Sequence, residues 1–527
     1  MLVTALSLLL LAPAADPVQA DVVIRGAMLY DGSGKPGVQG DLAIKGDRIV
    51  GLGAFEVAGK PRIIDGKGLV VAPGFIDLHT HSDIGLFTPG SKIPIVEPAT
   101  KANRNYLTQG VTTIVTGNCG FGPTDVGSYL QQVDAVKPGT NVAALVAHND
   151  VRKAVMGNAN RAPTTEELEK MRVLVEEGMK AGAWGLTTGL YYTPGNYAAT
   201  EEVIALAKVA AQYRGIYASH MRDEGVGLLP AIDETLRVGR EAQLPIHISH
   251  LKAWGRRSWD KAPEALALIE QARRQGQVVT ADQYPYIAAS TWLAAFVIPV
   301  KYRSGTQQDL IARFDDKEQG PEIRKAIEGM LAEWDGGKTV RIASYAKKPE
   351  WQGKDLLTIA TLEKRTALEI VLEIERNGGA AAVNFAMNEE GVRLIMKQPW
   401  VATASDGAAM AISETFTHPR SYGTFPRKIG HYARAEKLVP LEQAIRSATG
   451  LPADILRLPE RGYLRVGHFA DVLVFDPVEF RDQATFEKPH QYATGVKYLF
   501  VNGTPTIDAG KVAETFAGRA LRHKGEK

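Results

Sequence analysis

Cys119 is the only cysteine among 527 residues, and it follows the apolar run Val111 to Val115 in the segment Thr116-Gly117-Asn118-Cys119-Gly120. Histidines end other short apolar runs. His79 and His81 close Gly74-Phe75-Ile76-Asp77-Leu78-His79-Thr80-His81, His220 closes Ile216-Tyr217-Ala218-Ser219-His220, and His250 closes Pro245-Ile246-His247-Ile248-Ser249-His250. Strand side chains alternate between faces, so the imidazoles of His79 and His81 can reach one point. Asp406, in Trp400-Val401-Ala402-Thr403-Ala404-Ser405-Asp406-Gly407, adds a carboxylate at another run's end. Imidazoles with a thiolate read as a metal site, and they suit Zn2+ better than Mg2+, which prefers oxygen. The chemistry open to such a set is hydrolysis: zinc polarises a carbonyl and acidifies water to a pKa of about 7, and Asp406 is the carboxylate within reach to move the proton.

These residues need strands to deliver them. Strand-like runs alternate with helical patterns, which predicts parallel strands with crossover helices. Eight strands are expected, at 74–79, 111–117, 141–147, 184–189, 215–220, 245–250, 278–282 and 400–405. Eight βα units predict an α/β fold of the (β/α)8 TIM-barrel type over residues 73–454, with every candidate ligand at a C-terminal strand end, where barrel sites are built. Thr164-Thr165-Glu166-Glu167 is a capping-box pattern opening a helix to Lys180, and Thr200-Glu201-Glu202 is expected to cap a second one reaching Tyr213. The interval from Asp282 to Asp406 exceeds one βα connection, so an inserted lid subdomain is expected at about 288–350. Hairpin-like texture at 21–72 returns at 455–520, which predicts a small β-sandwich domain built by both chain ends.

With 45% hydrophobic and 23% charged residues the chain has a globular composition. Lys plus Arg exceed Asp plus Glu by 61 to 59, a net charge of +2, so no basic field invites a nucleic acid, and stable membrane insertion is not expected. A single cysteine allows no intrachain disulfide. The apolar run Leu2 to Leu11 with Val18-Gln19-Ala20 before Asp21 predicts a signal peptide over 1–20 and a periplasmic or secreted protein, although no Lys or Arg precedes the run.

The ordered set resembles the amidohydrolase superfamily, and within it the N-acyl-D-amino-acid deacylases (D-aminoacylases). The resemblance is carried by Gly66 to His81, Gly117-Asn118-Cys119-Gly120, Ser219-His220-Met221-Arg222-Asp223-Glu224, Ile248-Ser249-His250-Leu251-Lys252, Ser405-Asp406-Gly407 and Gly467-His468-Phe469-Ala470-Asp471. Hydantoinases and dihydroorotases in the superfamily use a carbamylated lysine on strand four, and Trp184-Gly185-Leu186-Thr187-Thr188-Gly189 offers none. The resemblance implies zinc-dependent cleavage of the amide of N-acyl-D-amino acids. It implies a tight zinc on Cys119, His220 and His250, a second, weaker position at His79 and His81, and Asp406 as general acid/base. A substrate with a free carboxylate needs cations, for which Arg420 and Lys252 are the candidates; Tyr192, Tyr284 and Ser290 are implied at the substrate. Arg222, Asp223 and Glu224 are expected to form a buried charge network under the site and His247 to be structural; His148, at a strand end, is a lesser candidate for a place behind the ligands. Within enzymes the alternatives are a dipeptidase for L-Xaa-D-Xaa dipeptides and an amidohydrolase for another cyclic or acylated amide. Outside them stands a metal-free scaffold.

Overall fold

The structure, a computed structural model, describes residues 16–85, 93–413 and 415–525. All eight expected strands form: β1 (Phe75–Asp77), β2 (Val111–Thr116), β3 in two pieces (Asn141–Ala144 and Val146–Ala147), β4 (Gly185–Gly189), β5 (Ile216–His220), β6 (Ile246–Ile248), β7 (Val279–Gln283) and β8 (Val401–Thr403). The first piece of β3 pairs with β2, which pairs with β1; the second piece begins an uninterrupted parallel series from β4 to β8. Leu145 N–H, between the two pieces, still donates to Thr116 O at 3.0 Å. At the other edge the chain leaving β8 meets the chain leaving β1. Asp406 N–H donates to His79 O at 2.8 Å, and His81 N–H to Gly407 O at 2.7 Å. Nearly every strand residue is buried, as parallel strands covered on both faces require.

The covering helices earn their place by amphipathic spacing. In the helix Leu228–Ala242, Leu228, Ile232 and Leu236 recur every fourth residue, are buried, and join Ile246 and Ile248 of β6 in one core. The helix Thr165–Lys180 opens on the expected capping box, with Thr164 and Glu167 bonding each other's backbone N–H. The second cap does not form. Ala199 is the N-cap of Thr200–Gln212, and the Thr200 hydroxyl instead donates to Glu234 Oε1 at 2.8 Å on the next helix.

Between β7 and β8 the chain builds its own antiparallel sheet from Ala289–Trp292, Val340–Ser344 and Ala381–Asn384. The added unit therefore reaches well past the 288–350 expected from sequence, because its central strand is the last in chain order. A separate core with Phe296, Ile342 and Trp351 holds it together.

Residues of both chain ends share one nine-stranded sheet, in which Val70–Pro73 pairs with Val22–Leu29 on one side and Val472–Phe475 on the other. A bulge in Val22–Leu29 splits its edge, so that Arg62–Asp65 pairs with the first half and Val70–Val71 with the second. Asp471, from the closing motif, ties this sheet to the start of β3. Its carboxylate accepts Asn502 N–H at 2.8 Å and Asn141 Nδ2 at 3.3 Å, and it pairs with buried Arg461. Arg461→Met is expected to cost about 3–5 kcal/mol, since it strands a buried carboxylate; an unchanged urea midpoint would show that the network contributes nothing to stability.

Most of the expected signal peptide, residues 1–15, lies outside the described residues, whereas Val18–Gln19 pairs with Val57–Ala58. No helix of the described residues is long and apolar enough to cross a membrane.

Candidate metal and hydrolytic site

The sequence-selected donors converge. Cys119 Sγ lies 3.3 Å from His79 Nε2, 3.6 Å from His220 Nδ1 and 3.4 Å from His250 Nε2. Asp406 Oδ1 is 3.1 Å from His81 Nε2 and 3.5 Å from His79 Nε2. His220 ends β5, and the others sit just past strand ends. Cys119, His250 and Asp406 hold positive φ of 54°, 35° and 51°, conformations that cost of order 1–3 kcal/mol each and gather at functional sites. Gly117 permits the Cys119 turn: at φ +82° a Cβ there would come 2.2 Å from Leu145 O.

The donor set fits zinc. Bonds of about 2.3 Å to sulfur and about 2.0 Å to nitrogen in a tetrahedron put those atoms about 3.5 Å apart, and Cys119 Sγ stands 3.6 and 3.4 Å from the two nitrogens of His220 and His250. The His220 and His250 nitrogens are 2.8 Å apart, closer than the tetrahedral spacing. Charge agrees with geometry. Burial opposes ionisation of Cys119, yet His79 and His250 hold its thiol well below the usual range. Burial also works against a charged His81, but Asp406 and Cys119 push it up to about 9. Asp406, despite its burial, is held well below the ordinary carboxylate range by Arg420 and then His79. His79 and His81 are pushed up by these anions, whereas burial keeps His220 low, in the neutral form a metal ligand needs.

Two carboxylates that bond the candidate ligands were not assigned that role from sequence. Asp282, at the end of β7, has Oδ2 2.8 Å from His247 Nε2 and 3.3 Å from His79 Nδ1, while Oδ1 accepts His250 N–H at 2.8 Å. Its position at a strand end was the available signal. His247 is accordingly a support for Asp282 rather than a bystander. Glu224 lies 2.9 Å from His250 Nδ1 and binds Lys252 Nζ at 2.7 and 2.8 Å. The expected Arg222-Asp223-Glu224 network does not form: Arg222 pairs with Glu234, and Asp223 accepts the N–H groups of Gly225 and Gly227. Adjacent residues on a turning chain face different ways. His148, the lesser candidate for a place behind the ligands, has Nε2 2.9 Å from Glu202 Oε1 instead. Asp282→Asn is expected to weaken metal affinity 10–100-fold, the usual loss when a ligand's orienting partner goes; chelator competition measures it, and unchanged affinity would dismiss the orienting role.

A cavity of about 680 Å3 opens on this cluster, and Lys252, Arg420, Tyr192, Tyr284 and Ser290 all line it. His79, fully buried, stands behind its wall. Arg420 donates to Asp406 Oδ2 at 2.7 Å and to Ser290 O at 3.3 Å. The Tyr284 ring lies 4.9 Å from the Arg420 guanidinium and 5.8 Å from Lys252 Nζ, and its buried hydroxyl has no hydrogen-bond partner among the described residues. Tyr192 packs on His220 with ring centroids 4.7 Å apart and donates to Thr291 at 3.3 Å. Ser290 Oγ donates to Ala382 O at 3.1 Å inside the inserted sheet. Phe121, Tyr191, Trp254 and Trp292 supply apolar wall that the sequence reading did not single out.

Comparison with known proteins agrees with this geometry. Residues 62–507 match the model of the amidohydrolase family. The chain is 37% identical to a D-aminoacylase of Alcaligenes xylosoxydans xylosoxydans, over 96% of this chain and 98% of the relative. Its structure is similar to that of a D-aminoacylase studied for one-metal activation and second-metal attenuation of a binuclear center, with a TM-score of 0.80, 33% identity and coverage of 95% and 100%. It is likewise similar to the N-acyl-D-glutamate deacylase of Bordetella bronchiseptica complexed with zinc and a phosphonate mimic of the tetrahedral intermediate, with a TM-score of 0.80, 31% identity and coverage of 96% and 100%. The chain belongs to the amidohydrolase family, within its D-aminoacylase-like group.

Proposed function

We propose that the protein hydrolyses the amide bond of N-acyl-D-amino acids with zinc, releasing a carboxylate and a free D-amino acid. The observation that carries this reading is the meeting of the Cys119, His220 and His250 donor atoms with Asp406 on one cavity. Cys119, His220 and His250 would hold the tight ion, and His79 with His81 a second, weaker one. Zinc bound there supplies Lewis acidity toward the amide carbonyl and toward water.

The chain's own groups do the rest. Asp406, ionised at neutral pH, accepts a proton from water and delivers it to the departing amine. An amide nitrogen is a poor leaving group, so this second transfer is needed. Arg420 and Lys252 form cationic ground for the substrate carboxylate, and the Tyr284 hydroxyl between them offers a donor still unspent. Both cations already hold carboxylates, Asp406 and Glu224, so substrate binding must share or displace these bonds. The strand Ala289–Trp292 brings the inserted unit to the cavity, which supports a lid that keeps bulk water from the reaction.

In the architecture that accompanies this reading, the eight parallel strands close as a (β/α)8 barrel and the terminal sheet folds as a sandwich. The leader-like residues support export to the periplasm or medium, which N-terminal sequencing of the mature protein tests.

Amine release from D and L enantiomers of N-acetyl-leucine, N-acetyl-methionine and N-acetyl-glutamate, with L-Xaa-D-Xaa dipeptides alongside, tests the function. Turnover confined to D compounds is the expected result. Preference for the dipeptides would make the protein a dipeptidase on the same site. No turnover across the panel by zinc-loaded protein would move the substrate to another cyclic or acylated amide.

A further inference from the structure

A second cavity, of about 220 Å3, is walled by Ser33, Gln398, Lys428, Gln443, Arg446 and Ser447. Gln398 precedes β8 and Asp406 follows it, so this cavity lies at the opposite end of that strand from the metal donors. Its central feature is Lys428, on the segment Arg427–Ala435, which is 3% exposed yet lines open space. Among the described residues no carboxylate or carbonyl pairs with its amine, and burial alone lowers it to about 7.

The neighbouring polar groups have commitments elsewhere. Arg446 reaches Tyr463 at 3.3 Å and Asp454 at 3.1 Å, Gln443 Nε2 donates to Lys397 O at 3.0 Å, and Ser447 donates to Ala444 O at 2.8 Å. Asp454 balances Arg446, so nothing in the wall balances Lys428. The Ser33-Gly34 turn presses on Arg446, where a Cβ on Gly34, at φ +86°, would come 2.8 Å from Arg446 Cδ. Surface lysines extend their amines to water. This one is buried and lines a chamber several times the ~30 Å3 share of one water, and without a counter-charge its burial disfavours the ammonium form. A small anion would favour that form and fill the space.

We infer that this cavity is a binding site for a small oxyanion, a phosphate or a carboxylate, held by Lys428 with Arg446 as the second cation. The test follows melting of the metal-loaded protein in rising potassium phosphate and, separately, potassium acetate, with ionic strength held constant by potassium chloride. A saturable rise in Tm with one or both anions, absent in Lys428→Met at unchanged turnover, is expected, and the effective anion identifies the class. No rise with either anion, or an equal rise in Lys428→Met, overturns the inference; the latter would place the anion at the metal site. Should the variant fail to fold, acylation of Lys428 in the native protein, mapped by peptide mass spectrometry, decides. Labelling should slow about tenfold at an anion concentration ten times Kd, and an unaltered rate overturns the site.

Discussion

Asp406→Ala is expected to lower kcat by at least about 10²–10⁴-fold, the usual worth of a positioned proton-transfer group, while zinc at the tight position is retained. The separation of the two effects rests on which atoms hold the ion. Cys119, His220 and His250 bring three donor atoms together without Asp406, which contacts His81 at 3.1 Å and Arg420 at 2.7 Å and shares only His250 with that trio. Removing the carboxylate thus leaves the trio's donor atoms in place. It also releases Arg420, whose guanidinium becomes free to bind a substrate carboxylate, so KM should not rise in step with the loss of kcat. Metal analysis and steady-state kinetics on the same preparation check both arms. Wild-type turnover in the variant would remove Asp406 from proton transfer, and loss of zinc would make it a ligand instead.

Cys119→Ala is expected to lose the tight metal and all turnover with it. Four donors giving roughly 10–16 kcal/mol in small zinc sites allot about 3 kcal/mol to each, a weakening of more than about 100-fold. The thiolate contributes more than its share here. It is the donor that lies within 3.6 Å of His79, His220 and His250 together, and its negative charge helps to hold the imidazole of His79 above its usual range. Zinc content after dialysis is the direct measurement. Stoichiometric zinc in the alanine variant would exclude Cys119 from the ligand set.

The strands and their terminal ligands were legible because parallel strands buried on both faces leave near-continuous apolar runs, and a histidine ending such a run stands out. The expectation at 278–282 met β7 at Val279–Gln283, and the one at 111–117 met β2 at Val111–Thr116. The inserted unit was less legible. Its strand Ala381–Asn384 lies far along the chain from its partner Ala289–Trp292, and antiparallel pairing at that separation leaves no local mark. The same limit hid the roles of single side chains. Asp282 stands 203 residues from His79, and Thr200 passes for a cap until Glu234 is beside it.

Sequence alone determined which donors exist, that each lies at or just past the C-terminal end of a strand, and that a thiolate-imidazole set with one aspartate suits zinc and hydrolysis. These are properties of residue type and of a period-two backbone, both written locally. Tertiary structure decided which carboxylates orient which imidazoles, that Arg420 and Lys252 are already engaged by Asp406 and Glu224, and that Lys428 lines a chamber with no counter-charge among the described residues. Charge pairing acts through space over a few ångströms, and only folding brings residues hundreds of positions apart to that distance.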